Sequence, residues 1–549
     1  MSQTLTTTRP SAPAGRHRHL GWALALISVA QLMVVLDSTI ANIALPFIKT
    51  DLGIAESNLQ WVVTGYALAF GGLLLLGGRL GDLYGRRRIF MVGVTIFAIA
   101  SGLGGLAQNE VMLLGSRGLQ GLGAAIASPT ALALITTTFP AGPQRSRAFS
   151  VYAAMSGAGA AVGLILGGWL TGLYPHLLGL GIDGWRLTFL INVPIGLLAA
   201  YLAPRLLGES ESHPGELDLP GALTGTVGLV ALVYGITHAG TTDAAGHTQW
   251  TAPQTLVSVL VGLGLLALFV AIERRVEHPL LPLRILRNRT RATAFITMMM
   301  VPAAMFAMFF FLSQFVQDVV GYSPLRAGVA FLPFSVGIVV AATVSSRLLS
   351  RVDPRWIAGI GTLLSGVALY MFHRISVDLS PEHLLRVAGH GGQLGASVNY
   401  WTDLFPWIVV MALGMGATFV PMTLAAVHGV QARDSGAGSG VLNTMQQVGG
   451  ALGLATLSTV AVHFMTRKAD SLAAGVHALA GSGGPAPGPH QLARVHEVVY
   501  QGAFTQGSTQ AFLAGAVMIW VASAVVWIFL SVSHRELAED GPAESATVG

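Results

Sequence analysis

The sequence predicts an all-α polytopic membrane protein. Three observations carry this. The 549 residues are 53% hydrophobic, only 10% are charged, and the mean hydropathy is +0.65. Soluble domains carry roughly 25% charged residues. The apolar residues fall into long runs of about 20 residues, the length a helix needs to cross a bilayer. Arginines recur between alternate runs, as cytoplasmic loops require.

About fourteen spans are expected in order. Six come first, near 20–48, 58–79, 88–108, 111–139, 146–173 and 185–205. Two follow near 219–239 and 254–273. Six close the chain, near 292–317, 325–349, 356–373, 404–428, 440–465 and 508–533. The chain then divides into a Ser/Thr/Pro/Ala-rich cytoplasmic N-terminus (1–19), a first six-helix unit (20–205), a two-helix linker with its loops (206–291), a second six-helix unit (292–533) and a cytoplasmic tail (534–549). Two long outer loops are expected at about 374–403 and 466–507, and GSGGPAPGP (Gly481–Pro489) reads as a turn-rich stretch. Asp318 and Asp403 fall at outer span ends and are expected to be solvated.

The net charge of +5 comes almost entirely from arginine, because Lys49 and Lys468 are the two lysines. Arg16 and Arg18 precede the first run, and Arg79, Arg86, Arg87 and Arg88 lie between spans two and three. Arg145 and Arg147 lie between spans four and five, Arg284, Arg287, Arg289 and Arg291 between eight and nine, and Arg351 and Arg355 between ten and eleven. All fall on one side if the N-terminus is cytoplasmic, so this charge sets topology rather than a nucleic-acid surface. The first run is too long for a signal-peptide core, and no cleavage is expected. Cysteine is absent, which removes disulfides and thiolate metal sites. No Walker A or H-E-x-x-H sequence occurs, and the 16 histidines fall mostly in loops and termini. No metal, cofactor or enzymatic activity is expected.

Two charges stand inside apolar runs. Asp37 lies about 17 residues into the first span and Arg117 about six into the fourth, which runs the other way, so both fall in the outer half of the bilayer. An ionisable group at that depth costs a few kcal/mol at least and marks a functional site by default. The pair either takes up and releases a proton or statically fixes spans one and four. Gln120, one helical turn from Arg117, either joins that site or bonds helix to helix. Candidate cavity residues are Trp61 and Tyr66 on span two, Met305, Phe309 and Gln314 on the Met- and Phe-rich span nine, and Asn443, Gln446 and Gln447 on span thirteen. Methionine suits adaptable apolar recognition, and polar groups in apolar spans usually face the interior. The same residues can equally serve packing. No carboxylate other than Asp37 lies deep in a core span, which favours neutral or singly charged cargo.

A weak repeat relates Gly78–Gly93 to Ser346–Gly361, both cytoplasmic elbows with a Leu, a short turn and arginines. Duplicated halves are common in transporter folds. The first elbow, with Gly78, Leu80, Asp82, Gly85, Arg86 and Arg87, fits G-x-L-x-D-x-x-G-R-[RK] and resembles the loop signature of the major facilitator superfamily. Gly85 permits a tight turn and Gly78 a close helix approach. LDSTIANIALPFI (Leu36–Ile48), R-x-x-Q-G at Arg117–Gly121, FLSQFVQDVVGYSPLRAGVAFLP (Phe311–Pro333) and SGVLNTMQQVGGALG (Ser439–Gly453) resemble the fourteen-helix drug:proton antiporter branch, as does WRLTFLINVPIG (Trp185–Gly196). The likeness covers about residues 20–533. It implies two pseudo-symmetric six-helix bundles plus two linker helices, in a bacterial plasma membrane. It also implies export of amphiphilic drugs, antibiotics or secreted metabolites, driven by protons as the coupling ion. Asp37, Arg117 and Gln120 become the coupling residues, and Gly78, Asp82, Gly85, Arg86 and Arg87 the conformational-switch loop. A small-molecule substrate, the lipid bilayer and monomeric action are the implied partners. Span five carries Gly157, Gly163, Gly167 and Gly168 as an antiporter-type glycine face, but Leu164 stands where the branch has proline. That departure leaves a proton symporter or uniporter as the alternative.

Overall fold

The computed structural model describes residues 20–140, 142–173, 182–209, 216–241, 248–277, 279–430, 435–480 and 489–539. Thirteen helical segments are long and apolar enough to cross a membrane. In chain order these and one further helix are α1 (Leu20–Leu52), α2 (Glu56–Tyr84), α3 (Arg86–Gly105), α4 (Glu110–Thr138), α5 (Pro143–Thr171), α6 (Gly184–Leu206), α7 (Leu219–Ala239), α8 (Pro253–Glu273), α9 (Arg289–Val319), α10 (Pro324–Leu348), α11 (Pro354–His373), α12 (Tyr400–Val427), α13 (Ser435–Ala480) and α14 (Pro489–Phe529). The further helix is α5, whose described stretch Gly159–Thr171 is apolar. Fourteen helices thus match the expected number.

The apolar cores reveal how the halves sit. One continuous core joins both bundles at the outer end, from Ile43, Leu45 and Val62 to Phe311, Phe315 and Val498. Towards the cytoplasm it divides. One cluster, with Phe90, Phe97 and Leu134, belongs to the first bundle, and another, with Phe295, Met422 and Val526, belongs to the second. Hydrophobic burial therefore holds the halves together outside and leaves them parted inside. Between them lies a cavity of about 1160 Å³ whose wall includes Arg79, Asp82, Arg86 and Arg284 from the cytoplasmic elbows. The conformation is inward-facing.

Polar contacts reinforce the outer closure. Ser313 Oγ donates to the Asn42 carbonyl at 3.0 Å, and Gln317 Nε2 to the Ile43 carbonyl at 3.3 Å. Lys49 Nζ lies 2.7 Å from Glu56 Oε2, bonds the Tyr500 hydroxyl and sits 3.8 Å over the Tyr500 ring. Tyr500 itself donates to Glu56 at 2.7 Å. Asp318, expected to be solvated, instead stands half-buried within electrostatic reach of Lys49, Glu56 and Glu497. Asp403 is likewise intermediate in exposure, but it sits in a local turn, accepting from the Asn399 amide at 2.8 Å.

The linker hairpin α7–α8 closes the seam between α2 and α13. Gln60 Nε2 donates to Thr237 Oγ1 at 2.9 Å, and Thr459 Oγ1 to the Ile236 carbonyl at 2.9 Å.

Three expectations need correction. The stretch 466–507 is not a long loop, because α13 runs 46 residues and α14 runs 41. At 1.5 Å per residue these are roughly 60–70 Å long against a ~30 Å hydrocarbon core. The extensions are too polar for a hydropathy reading, but Leu472 and Val476 still bury against the membrane-distal part of α14 at Val498 and Val499. Residues 481–488 of the turn-rich stretch, the N-terminus 1–19 and the end of the tail lie outside the described residues. The stretch 374–403 contains a helix, Pro381–His390, with Leu384, Val387 and Ala388 buried. Gly78 is not the close-approach position of the first elbow. A Cβ there would meet only Pro129 Cβ at 3.7 Å, whereas at Gly77 it would fall 2.0 Å from the Ala125 carbonyl oxygen.

A candidate coupling site and the cavity beside it

Asp37 is carried by α1 at the centre of the first bundle, 2% exposed, and Arg117 by α4, 1% exposed. Arg117 Nη1 donates to Asp37 Oδ2 at 2.5 Å and to Gln120 Oε1 at 2.9 Å, while its Nε donates to the Val62 carbonyl at 2.7 Å. Gln120 Nε2 donates to Asp37 Oδ1 at 2.8 Å and reaches Ser101 Oγ at 2.5 Å. Asn192 Nδ2 donates to Asp37 Oδ1 at 3.2 Å and to Ser101 Oγ at 3.3 Å. Three side-chain donors from two helices thus address the Asp37 carboxyl, and a fully hydrogen-bonded pair is the only form in which such charges are tolerated at this depth. Protonating Asp37 would remove the charge that strengthens these bonds, its pairing with Arg117 above all.

Asn192 and Ser101 were not picked out by the sequence reading. Asn192 does carry a signal, as a lone amide inside the apolar run of WRLTFLINVPIG. Ser101 carries none, since serines are common in spans.

Neither Asp37, Arg117 nor Gln120 lines the cavity. Tyr66 stands between. It forms part of the cavity wall, the Arg117 guanidinium carbon lies 4.5 Å from its ring centroid, and its buried hydroxyl has no hydrogen-bond partner among the described residues. A second ring, Phe189, lies 5.7 Å from the same guanidinium. The arginine is thus held between aromatic faces, a favourable setting for a buried cation.

Of the candidate cavity residues, Tyr66, Asn443 and Gln447 line the cavity. The other five do not. Trp61 packs against Ala67, Val233 and Ala455 at the linker seam. Phe309 meets the rings of Phe331 and Phe334 at 5.4 and 5.0 Å, and Met305 packs on the outer core. Gln314 is fully buried and donates to its own helix at the Phe310 carbonyl, 3.0 Å away. Gln446 is half-buried on α13 outside the cavity wall. The sequence reading missed Gln31, Phe70, Phe149 and Tyr152, all of which line it. Tyr152 donates to Gln31 Oε1 at 2.7 Å.

The glycine face of α5 serves two neighbours. A Cβ at Gly163 would lie 2.0 Å from Thr39 Oγ1 and one at Gly167 3.1 Å from Ile40, both on α1, whereas at Gly168 it would strike the Pro324 carbonyl oxygen at 2.5 Å, across the bundles on α10. Leu164, in place of the expected proline, presents its carbonyl 2.1 Å from where a Gly328 Cβ would be. Gly157 falls on α5 but its surroundings lie outside the described residues.

The switch loop is held by charge. Arg86 Nη2 lies 3.0 Å from Asp82 Oδ1, and Arg86 Nη1 donates to the Ala133 carbonyl at 3.3 Å. Gly85 adopts φ 94°, a left-handed turn favoured by glycine. Glu209, an acidic partner outside the motif, accepts from the Arg87 amide at 3.1 Å and pairs with the Arg87 and Arg88 side chains at 3.4 and 3.6 Å.

Comparison with known proteins agrees with this architecture. Residues 27–454 match the family model described as Major Facilitator Superfamily. The chain is 41% identical over 443 residues to "Puromycin resistance protein pur8" of Streptomyces alboniger, covering 80% of this chain and 81% of that one. It is 35% identical over 464 residues to "Cephamycin export protein CmcT" of Amycolatopsis lactamdurans, covering 83% and 88%. Among solved structures, a bacterial homologue of the human lysosomal transporter Spinster, inward-facing and occupied, superposes with a TM-score of 0.64 at 17% identity, covering 94% of this chain and 98% of that one, a likeness of fold. The chain belongs to the major facilitator superfamily, as a multi-pass transporter of the plasma membrane.

Proposed function

We propose that this protein exports amphiphilic antibiotics or similar small molecules, and that protons moving inward down their gradient drive it. The observation that carries this reading is the Asp37–Arg117–Gln120–Asn192 network, sealed from an inward-open cavity by the Tyr66 ring. In this cycle Asp37 carries the proton in the outward-facing state and gives it up as cargo settles the inward-facing one, where three donors address its carboxyl. Protonation from the outside would neutralise Asp37, weaken its charge-assisted bond to Arg117 and loosen α1 from α4. Cargo entering the cavity meets aromatic rings (Tyr66, Phe70, Phe149, Tyr152) beside amides (Gln31, Asn443, Gln447). That mixture suits an amphiphile with a few polar groups. The relatives named for puromycin resistance and cephamycin export support the cargo class. The bundles then rock about the midplane, and the Lys49–Glu56–Tyr500 contacts break to open the outer side. The protein works as a monomer and needs no cofactor beyond the coupling proton.

The test is ethidium and puromycin transport in proteoliposomes with an imposed pH gradient. The reading expects substrate movement against the proton flow in wild type and none above leak for Asp37→Asn. Transport that ignores the gradient, or a fully active Asp37→Asn, contradicts it.

A further inference from the structure

The linker hairpin carries two acids that the export cycle above does not use. Asp218 caps α7 and Glu273 ends α8, and each is 4% exposed. Both line the cytoplasmic end of the cavity. Asp218 Oδ1 accepts from the Gly221 amide at 2.8 Å, and Glu273 Oε2 accepts from the Leu281 amide at 2.9 Å. Each carboxyl therefore spends one oxygen on a main-chain donor. The remaining two, Asp218 Oδ2 and Glu273 Oε1, are buried and have no partner among the described residues, and the two side chains stand within electrostatic reach of each other, with the Leu280 and Leu281 amides beside Glu273.

Two buried acceptors thus stand near one another, and no side-chain donor among the described residues reaches either. As two anions they would repel in a poorly solvated place, and each unsatisfied charge is costly there. The other charged groups of this rim are Arg79, Asp82, Arg86, Arg274, Glu277 and Arg284; among the described residues none forms an ion pair with either acid, and Asp82 and Arg86 pair with each other. Besides Arg79 and Asp82, α2 brings Leu73, Leu76 and Leu80, which pack with Leu217, Ala222 and Leu280 at this end of the hairpin. The free oxygens are also shielded from solvent, so a cargo ammonium or a hydrated metal ion cannot reach them as they stand. A proton can.

We propose that Asp218 and Glu273 together bind one proton, making a second proton site on the linker hairpin at the cytoplasmic mouth, separate from Asp37. The proton sits between Asp218 Oδ2 and Glu273 Oε1 as one carboxyl–carboxylate hydrogen bond. It ties the start of α7 to the end of α8 and to the 280–281 turn that leads into the second bundle. A rising cytoplasmic pH removes it and loosens this end of the hairpin. The site stands whether or not Asp37 couples export.

Infrared difference spectroscopy of the full-length protein in lipid nanodiscs, perfused between neutral and alkaline buffer, reads the carbonyl stretch of a protonated carboxyl. Asp218→Asn and Glu273→Gln each supply an amide donor in place of the proton and so keep the contact. The expected result is a neutral-pH carboxyl band in wild type that is lost in both variants and retained in Asp37→Asn, with one proton fewer released per molecule on alkalinisation. A band and proton count unchanged in both variants overturn the proposal.

Discussion

In the first bundle, buried polar side chains reach across helices: Gln120, Arg117 and Asn192 all bond Asp37, and Ser101 joins α3 to them. In the second bundle, Thr362, Ser365, Thr418 and Gln314 are equally buried but bond carbonyls of their own helices at 2.8–3.0 Å. The elbows differ likewise. The first is locked by Asp82–Arg86 and by Glu209 against Arg87 and Arg88. In the second, Asp353 accepts from the His534 amide at 2.8 Å and contacts its ring nitrogen at 2.7 Å. Two halves with one outline thus divide the labour. The first holds the charge chemistry, and the second offers a largely neutral wall for it to rock against.

That contrast can be broken most severely at Arg117. Arg117→Leu leaves Asp37 buried without its cation, a loss of roughly 3–5 kcal/mol. Export should vanish and the melting temperature should fall clearly, while Asp37→Asn should lose export with far less loss of stability. Asn192→Ala keeps the pair but removes one donor from Asp37 and one from Ser101. A cost of about 1–3 kcal/mol and a displaced pH for half-maximal transport are expected, read from thermal melts and transport pH profiles. Gln314→Leu tests the other half. Its Oε1 has no partner among the described residues, so stability should hold or rise and transport should stay within about twofold, because replacing a locally bonded buried amide is nearly neutral. A large loss of coupling there would erase the distinction between the bundles.

The smallest effect is at the second elbow. The His534 amide and then its side chain hold the Asp353 carboxyl below its ordinary value. A depressed folded-state value adds stability above the unfolded value of about 3.9 and loses it as pH falls through the folded one. Asp353→Asn should therefore melt slightly below wild type at neutral pH, and the gap should close in acid. The Asp353 side chain is 41% exposed, so solvent screens the interaction and the gap should be small.

The helix count and the central charges were legible because their signals are local. A run of 20 apolar residues spans a bilayer, and Asp37 or Arg117 within one demands a partner. The rest depended on packing across the molecule. Trp61, Met305 and Phe309 are plausible cavity residues by type, but the linker hairpin and the outer core take them. Hydropathy stops at the membrane edge, so it ends α13 near 465 although Leu472 and Val476 keep the helix packed beyond it. Glu209 lies outside the motif it completes. Gly77 and Gly78 are adjacent, and only the position of Pro129 and Ala125 on α4 decides which one must be small.

The most direct measurement of the central claim is proton release on cargo binding. Ethidium is added to the purified protein in weakly buffered nanodiscs containing a pH-sensitive dye. The account predicts that wild type releases protons as ethidium binds and that Asp37→Asn binds ethidium without releasing any from that site, so its release falls by one proton per molecule. Equal release from both would contradict it, because the proton that answers to cargo would then reside elsewhere than on Asp37.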